Sequence, residues 1–202
     1  MKSLTDRINS LSDEQRELLE KQLKKKNVDV NKIGINKEMI NPRGHTKASP
    51  LSYDQERLWF FNRMHPESHT YNVYGAARLT GTVHHWALEK SINEIVKRHE
   101  AWRTVFDSVD GQARQIVLPE LQVTVPEVDL RLVPNETRNE ELQRQMKEEV
   151  QRLFDLKKGP LIRFKLFHVS NTESMLVMTV HHIVIDRITF SIFFKELSLH
   201  YQ

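Results

Sequence analysis

The sequence predicts an α/β fold, because helical and strand patterns alternate along most of its 202 residues. Segments with apolar residues three or four positions apart alternate with short runs rich in Val, Ile, Phe and Thr. The composition, 39% hydrophobic and 28% charged residues, is that of a globular protein rather than a disordered chain. The length suits one full domain or about one and a half.

Composition also excludes several classes of function. The chain contains no cysteine, which rules out disulfides, thiolate nucleophiles and cysteine metal sites. The net charge is only +3, and no basic stripe carries interleaved aromatic residues, so we expect no nucleic-acid partner. No run of about 18 apolar residues exists, and residues 1–6 lack the apolar core of a signal peptide. We therefore expect a cytoplasmic protein without a membrane segment.

Residues 1–47 differ in character from the rest of the chain. Ser12 followed by Gln15 is typical of a capping box and predicts a short helix that ends near Lys26. The stretch 27–50 is polar and punctuated by Gly and Pro, as in a linker. The sequence thus predicts an N-terminal helical linker or docking segment over 1–47, and a folded unit over 48–202.

The first half of that unit begins with helical spacing of apolar residues and continues with strand-like runs. Asp110-Gly111 separates two of these runs and is a strong signal for a tight hairpin. The predicted elements are a helix, a strand, a second helix, the two hairpin strands and a further short strand, over residues 51–63, 71–79, 82–99, 103–108, 113–118 and 123–125.

The second half begins with a charged amphipathic helix over residues 136–154. Its apolar face carries Leu142, Met146, Val150 and Phe154 at helical spacing. Two apolar runs then predict strands, and a final apolar pattern predicts a closing helix; these three elements cover residues 161–169, 175–183 and 188–199.

A histidine pair, His181-His182, ends the last predicted strand and is followed by Asp186. This spacing places a proton acceptor and a carboxylate within about one turn, an arrangement that suits acyl transfer. The alternative is that these are ordinary core histidines with satisfied hydrogen bonds. The doublet His84-His85 lacks the carboxylate, and we expect it on the surface. Neither doublet has the ligand spacing of a zinc site.

Three motifs then match one family in order. Residues 52–60, SYDQERLWF, are similar to the pattern S-x-x-Q-x-R-L-W-F, and residues 98–106, RHEAWRTVF, are similar to R-H-E-x-L-R-T-x-F. The run 181–186, HHIVID, resembles the start of H-H-x-x-x-D-G. The chain thereby resembles the N-terminal half of a condensation domain from a nonribosomal peptide synthetase.

The resemblance implies a chloramphenicol-acetyltransferase-like lobe, an α+β sandwich that forms one half of a V-shaped domain. It implies amide formation between an acyl or peptidyl thioester on a donor carrier protein and an amine on an acceptor carrier protein. Both substrates would arrive on phosphopantetheine arms, and the chain itself would bind no cofactor or metal. The C-terminal lobe of the domain would be a partner, and residues 1–47 could bind an upstream synthetase subunit.

The resemblance also assigns roles to the motif residues. It implies that His182 is catalytic and that His181 packs or hydrogen-bonds at the strand end. Asp186 would form a buried ion pair with Arg103 of the second motif, so its loss would harm folding before chemistry.

One departure from the family pattern concerns Arg187, which stands where the family has glycine. A long cation there could point to solvent, narrow the active-site tunnel or disfavour protonation of His182. Two alternatives to a catalytic condensation-domain lobe remain, and Arg187 favours the first of them. The chain could be a non-catalytic docking or carrier-protein interaction module, or a stand-alone acyltransferase of the same fold.

Overall fold

The computed structural model describes residues 48–186 and 188–201, together with positions 12, 15, 18, 19, 21 and 22. The chain separates into two compact units, Met1–His45 and Thr46–Gln202. In the first unit the predicted capping box is present, since Ser12 N–H donates to Gln15 Oε1 at 3.1 Å and Gln15 N–H donates to Ser12 Oγ at 3.3 Å. The predicted helix end near Lys26 lies outside the described residues.

The second unit alternates strands and helices, as the sequence predicts. A 3₁₀ turn precedes β3, and another follows β7, at Glu100–Arg103 and His182–Val184. No helix in the described part of the chain is long and apolar enough to cross a membrane. The elements are β1 Ala48–Pro50, α1 Tyr53–Met64, β2 Asn72–Thr80, α2 His85–Arg98, β3 Thr104–Val109, β4 Gln112–Val117, β5 Glu127–Asp129, α3 Asn135–Gln151, β6 Ile162–Ser170, β7 Glu173–His181 and α4 Thr189–His200.

Two sheets organise this unit. The larger has the strand order β2-β7-β6-β5 and the smaller the order β1-β4-β3. All pairings among the described strands are antiparallel except that of β5 with β6. Side chains of β7 alternate between faces: Leu176 and Met178 pack with residues of α2 and α4, while Val177 packs with residues of α3. Helices thus cover both faces of the larger sheet. The histidine pair lies at the end of β7, with His181 as the last residue of the strand and His182 directly after it.

The hairpin between β3 and β4 is confirmed. Asp110 has φ of 51° and Gly111 has φ of 76°. Positive φ at both central residues is what a tight hairpin turn with the native strand twist requires, and Asp and Gly are residues that tolerate it.

The predicted strand at 123–125 is wrong, because side chains of α2 take the place of a neighbouring strand. Asn93 Oδ1 accepts from Val123 N–H, and Asn93 Nδ2 donates to Val123 O, both at 2.9 Å. Glu89 Oε2 accepts from Val125 N–H at 2.9 Å, and His85 Nε2 lies 2.7 Å from Val125 O. The backbone groups of Val123 and Val125 are therefore satisfied without a sheet partner. Of the doublet predicted at the surface, His84 is exposed, and the His85 side chain is 42% exposed while it also contacts Val125 O.

Helix α3 ends three residues earlier than predicted, at Gln151. Carbonyls at its end are bound by a side chain of the sheet: Asn72 Nδ2 donates to Val150 O at 2.6 Å and to Arg152 O at 2.8 Å. These bonds replace water at the helix end, where orphan carbonyls need donors. The chain then turns, and Phe154 enters the core, where its ring packs against His181 of β7, instead of continuing the helix.

Candidate active site

The turn that carries His182 follows directly on β7. His182 N–H donates to Tyr71 O at 2.8 Å, next to the start of β2. Ile183 N–H donates to His181 Nδ1 at 3.2 Å, and the Ile183 side chain is buried in a cluster with Leu58 of α1. The backbone on both sides of His182 is therefore fixed by neighbouring elements.

The two histidines of the pair have opposite environments. His181 is only 4% exposed and lies against the rings of Tyr71 and Phe154, with centroid distances of 6.4 and 6.3 Å. Burial, together with the neighbouring His182, lowers the pKa of His181 to about 4. His181 is therefore neutral near pH 7, and its Nδ1 is occupied by Ile183 N–H. His182, in contrast, is exposed.

His182 lines an open cavity of about 620 Å³ between α1, the start of β3 and the turn. An imidazole in such a position can accept a proton from a bound nucleophile or donate a hydrogen bond to a developing oxyanion. Polar side chains that share the cavity wall include those of Gln55, Arg57, Thr104, Gln115, Asp186 and Thr189.

Asp186 does not form the predicted buried ion pair. Its side chain is exposed, and Oδ1 accepts hydrogen bonds from Thr189 Oγ1 at 2.5 Å, Thr189 N–H at 3.0 Å and Ile188 N–H at 3.1 Å. These bonds, led by the Thr189 hydroxyl, hold the pKa of Asp186 below its usual range. Asp186 thus satisfies donors at the start of α4, where a carboxylate is favoured.

Arg103, the predicted partner, binds elsewhere. Its Nη1 donates to Leu118 O, and its Nη2 lies 3.6 Å from Glu100 Oε1. Its Nε is buried without a hydrogen-bond partner among the described residues. The ion pair predicted between Asp186 and Arg103 is therefore wrong for this structure, because each group is bound by neighbours that are closer in the chain or the sheet. Arg187 lies outside the described residues.

A charged cluster supports the buried side of His181. Phe154 meets His181 edge to face, and the Arg163 guanidinium carbon lies 3.8 Å from the Phe154 ring centre. Arg163 Nε in turn donates to Glu149 Oε1 at 2.9 Å, and Lys165 Nζ lies 3.4 Å from Glu149 Oε2. The sequence interpretation does not single out Glu149, although a carboxylate between Met146 and Val150 on an apolar helix face is a signal of a buried charge.

Similarity to known proteins decides the family. A model of the condensation domain matches residues 45–202. The chain belongs to the condensation domain family. It is 38% identical over 171 residues to one of the proteins of the linear gramicidin synthase of Brevibacillus parabrevis, and 36% identical over 161 residues to phosphinothricin tripeptide synthetase PhsB of Streptomyces viridochromogenes. These matches cover 85% and 80% of this condensation-domain chain, but only 3% and 14% of the two relatives.

Solved condensation domains share the fold. The starter condensation domain of rhizomide synthetase RzmA superposes with a TM-score of 0.72 at 21% identity, over 77% of this chain and 37% of that one. The X-domain solved in complex with OxyB from teicoplanin biosynthesis gives a TM-score of 0.68 at 27% identity, over 79% of this chain and 34% of that one. The predicted fold class is confirmed, and the chain spans about a third of these solved chains.

Proposed function

We propose that this condensation-domain chain contributes His182 to amide formation between a carrier-bound thioester and a carrier-bound amine. One observation carries the proposal: of the two motif histidines, His182 faces the cavity while His181 is buried and neutral. The established family supplies the reaction class, and the orientation of the pair selects the residue.

In the proposed reaction the amine nitrogen attacks the thioester carbonyl, so that a C–N bond forms and the C–S bond breaks. The proton lost by the amine passes to His182 and then to the leaving thiolate, which regenerates the neutral imidazole. In the tetrahedral intermediate the same ring could donate to the oxyanion instead. General-base help of this kind contributes about 10²- to 10⁴-fold to a rate, and stabilisation of an oxyanion contributes about 10²- to 10³-fold.

The substrates and partners belong to the same proposal. Donor and acceptor carrier proteins would deliver their phosphopantetheine arms to the cavity beside His182. Since the chain spans about a third of the solved domains, a C-terminal lobe would complete the tunnel. Residues 1–47 would bind an upstream synthetase subunit.

The test is a comparison of variants in the complete condensation domain that contains this chain, with both carriers loaded. His182→Ala should lower amide formation, followed by mass spectrometry, by about 10²- to 10⁴-fold. Binding of each carrier should be unchanged. His200→Ala is the matched control, because His200 is exposed on α4 and does not line the cavity. Equal activity of the two variants would refute a catalytic role for His182.

A second function is favoured by two observations. Asp186 is turned to solvent instead of pairing with Arg103, and one similar solved chain is an X-domain in complex with another protein. A non-catalytic interaction module would bind carriers or another partner without chemistry. In that case the complete domain would form no amide before any substitution, and His182→Ala would change neither product nor binding.

A further inference from the structure

We infer that Gln55 is a positioning residue for His182, a role that rests on the proposed function of that histidine. One side-chain amide makes two contacts in different elements. Gln55 Oε1 accepts from Ser52 N–H at 3.0 Å, and Gln55 Nε2 donates to Ile183 O at 3.4 Å. The amide therefore joins the start of α1 to the turn immediately after His182.

The orientation of this amide is fixed by chemistry. Ser52 N–H can only donate and Ile183 O can only accept, so the oxygen of Gln55 must face Ser52 and the nitrogen must face Ile183. Ser52 Oγ also accepts from Gln55 N–H at 3.3 Å, which completes the capping box of α1. Gln55 is thus held rigidly before it reaches the turn, and little side-chain freedom is lost in the second bond.

Hydrogen bonds from three parts of the chain hold the peptide groups around His182. Tyr71 O holds His182 N–H, the His181 ring holds Ile183 N–H, and Gln55 holds Ile183 O. The first two bonds come from residues at the start of β2 and the end of β7. The third comes from α1, which forms another part of the cavity wall. A displacement of about 1 Å at a catalytic group can cost 10²-fold in rate. We therefore expect loss of the Gln55–Ile183 hydrogen bond to lower the reaction rate more than it lowers the stability of the fold.

Gln55→Glu separates the two contacts. A carboxylate at this position still accepts from Ser52 N–H, since glutamate is a common partner in capping boxes. An ionised carboxylate cannot donate to Ile183 O, and it repels that carbonyl. Gln55→Met removes both contacts at similar volume. The chain carries a matched control, because Ser12 and Gln15 form the same capping box in the N-terminal unit. Gln15→Glu therefore reports what a charge at this helix position does by itself.

The first measurement is amide hydrogen exchange with thermal unfolding of the full 202-residue chain. In Gln55→Glu we expect exchange at His182 and Ile183 to quicken by a factor of about 5 to 10, the effect of one hydrogen bond, with a smaller fall in melting temperature than in Gln55→Met, because the capping bond from Ser52 N–H remains. Gln55→Met should show the same local effect and a lower melting temperature. Gln15→Glu should leave both amides unchanged. Unchanged exchange at His182 and Ile183 in Gln55→Glu, or equal acceleration throughout the chain, would overturn the inference.

The second measurement is the kinetics of the complete domain. Gln55→Glu should lower kcat by about 10- to 100-fold with little change in KM, since the carriers and cavity remain. Unchanged kcat with faster local exchange would also overturn the positioning role. The failure of the proposed function is distinguishable, because His182→Ala would then leave amide formation unchanged whatever Gln55 does to exchange.

Discussion

Arg163 Nε donates a hydrogen bond of 2.9 Å to Glu149, whose side chain is only 3% exposed. Burial by itself would raise the pKa of Glu149, but the hydrogen bonds and charges of Arg163 and Arg152 together hold it below its usual range. The pair ties the end of α3 to β6 and holds Arg163 over Phe154, behind His181.

Replacement of this carboxylate should be strongly destabilising. In Glu149→Gln the half-buried cations Arg163 and Lys165 lose their common counter-charge, and the loss of hydrogen bonds to a charged group typically costs about 1.5–3 kcal/mol. Urea denaturation of the chain measures the loss. Glu148→Gln is the control, because Glu148 is exposed and its pairing with Arg144 is worth about 0–1 kcal/mol. Similar losses in the two variants would show that the cluster does not stabilise the fold.

The buried histidine predicts a pH dependence of stability. The folded-state pKa of His181 is about 4, against an ordinary value of 6.5, so the unfolded chain binds a proton between these values that the folded chain does not. The contribution of His181 to the free energy of unfolding is therefore complete above pH 6.5 and is lost as the pH falls towards 4. The total loss is about 3 kcal/mol.

His181→Asn tests this origin, since the asparagine carbonyl can accept from Ile183 N–H but does not titrate. The free energy of unfolding should be measured from pH 7 to pH 4.5 for both proteins. We expect the wild-type curve to fall more steeply than the variant curve. Parallel curves would mean that other groups produce the acid sensitivity.

Because Asp186 and Arg103 do not form an ion pair in the described structure, we expect the effects of replacing each of them on stability to be additive. Asp186→Asn should lower the melting temperature only slightly, because it weakens bonds at the exposed start of α4. Arg103→Gln should act through the separate contact with Leu118 O. In a double-mutant cycle the two effects should add. A large coupling would show that the two residues pair in solution.

Gly75 on β2 leaves room for an aromatic ring. A Cβ at this position would lie 2.6 Å from Cδ1 and 2.8 Å from Cε1 of Phe190, in the first turn of α4. Gly75→Ala should therefore destabilise the chain by about 1–3 kcal/mol through overpacking. The double variant Gly75→Ala, Phe190→Leu should recover part of the loss in thermal unfolding. A stabilised single variant would mean that α4 shifts without cost.

The regular elements of the second unit follow from short-range patterns in the sequence. The spacing that predicts a helix at 51–63 gives α1, and Asp110-Gly111 gives the β3–β4 hairpin, because both are decided by nearby residues. The identity of the histidine motif is also visible in the sequence, but the opposite exposure of His181 and His182 depends on Phe154, which lies 27 positions before His181 in the chain and packs against it.

The errors have the same physical origin. Val123–Val125 has the composition of a strand, yet side chains of α2 supply its hydrogen bonds. The family pattern gives Asp186 a distant cation as partner, yet Thr189, three residues ahead, supplies its donors. In both cases a nearby polar side chain takes the place of the expected partner. Composition alone does not show which polar side chain lies close enough to form the hydrogen bond.

The hydrogen bonds that side chains of α2 make to the backbone of residues 123–125 also affect how this stretch can associate with a second molecule. Exposed strand edges recruit other chains because their unpaired N–H and C=O groups repeat at the spacing of a β-ladder. Here Asn93, Glu89 and His85 already engage those groups at helical spacing, four residues apart. On this edge of the stretch, the backbone groups of Val123 and Val125 are therefore not available to pair with a strand of a second molecule while α2 stays folded.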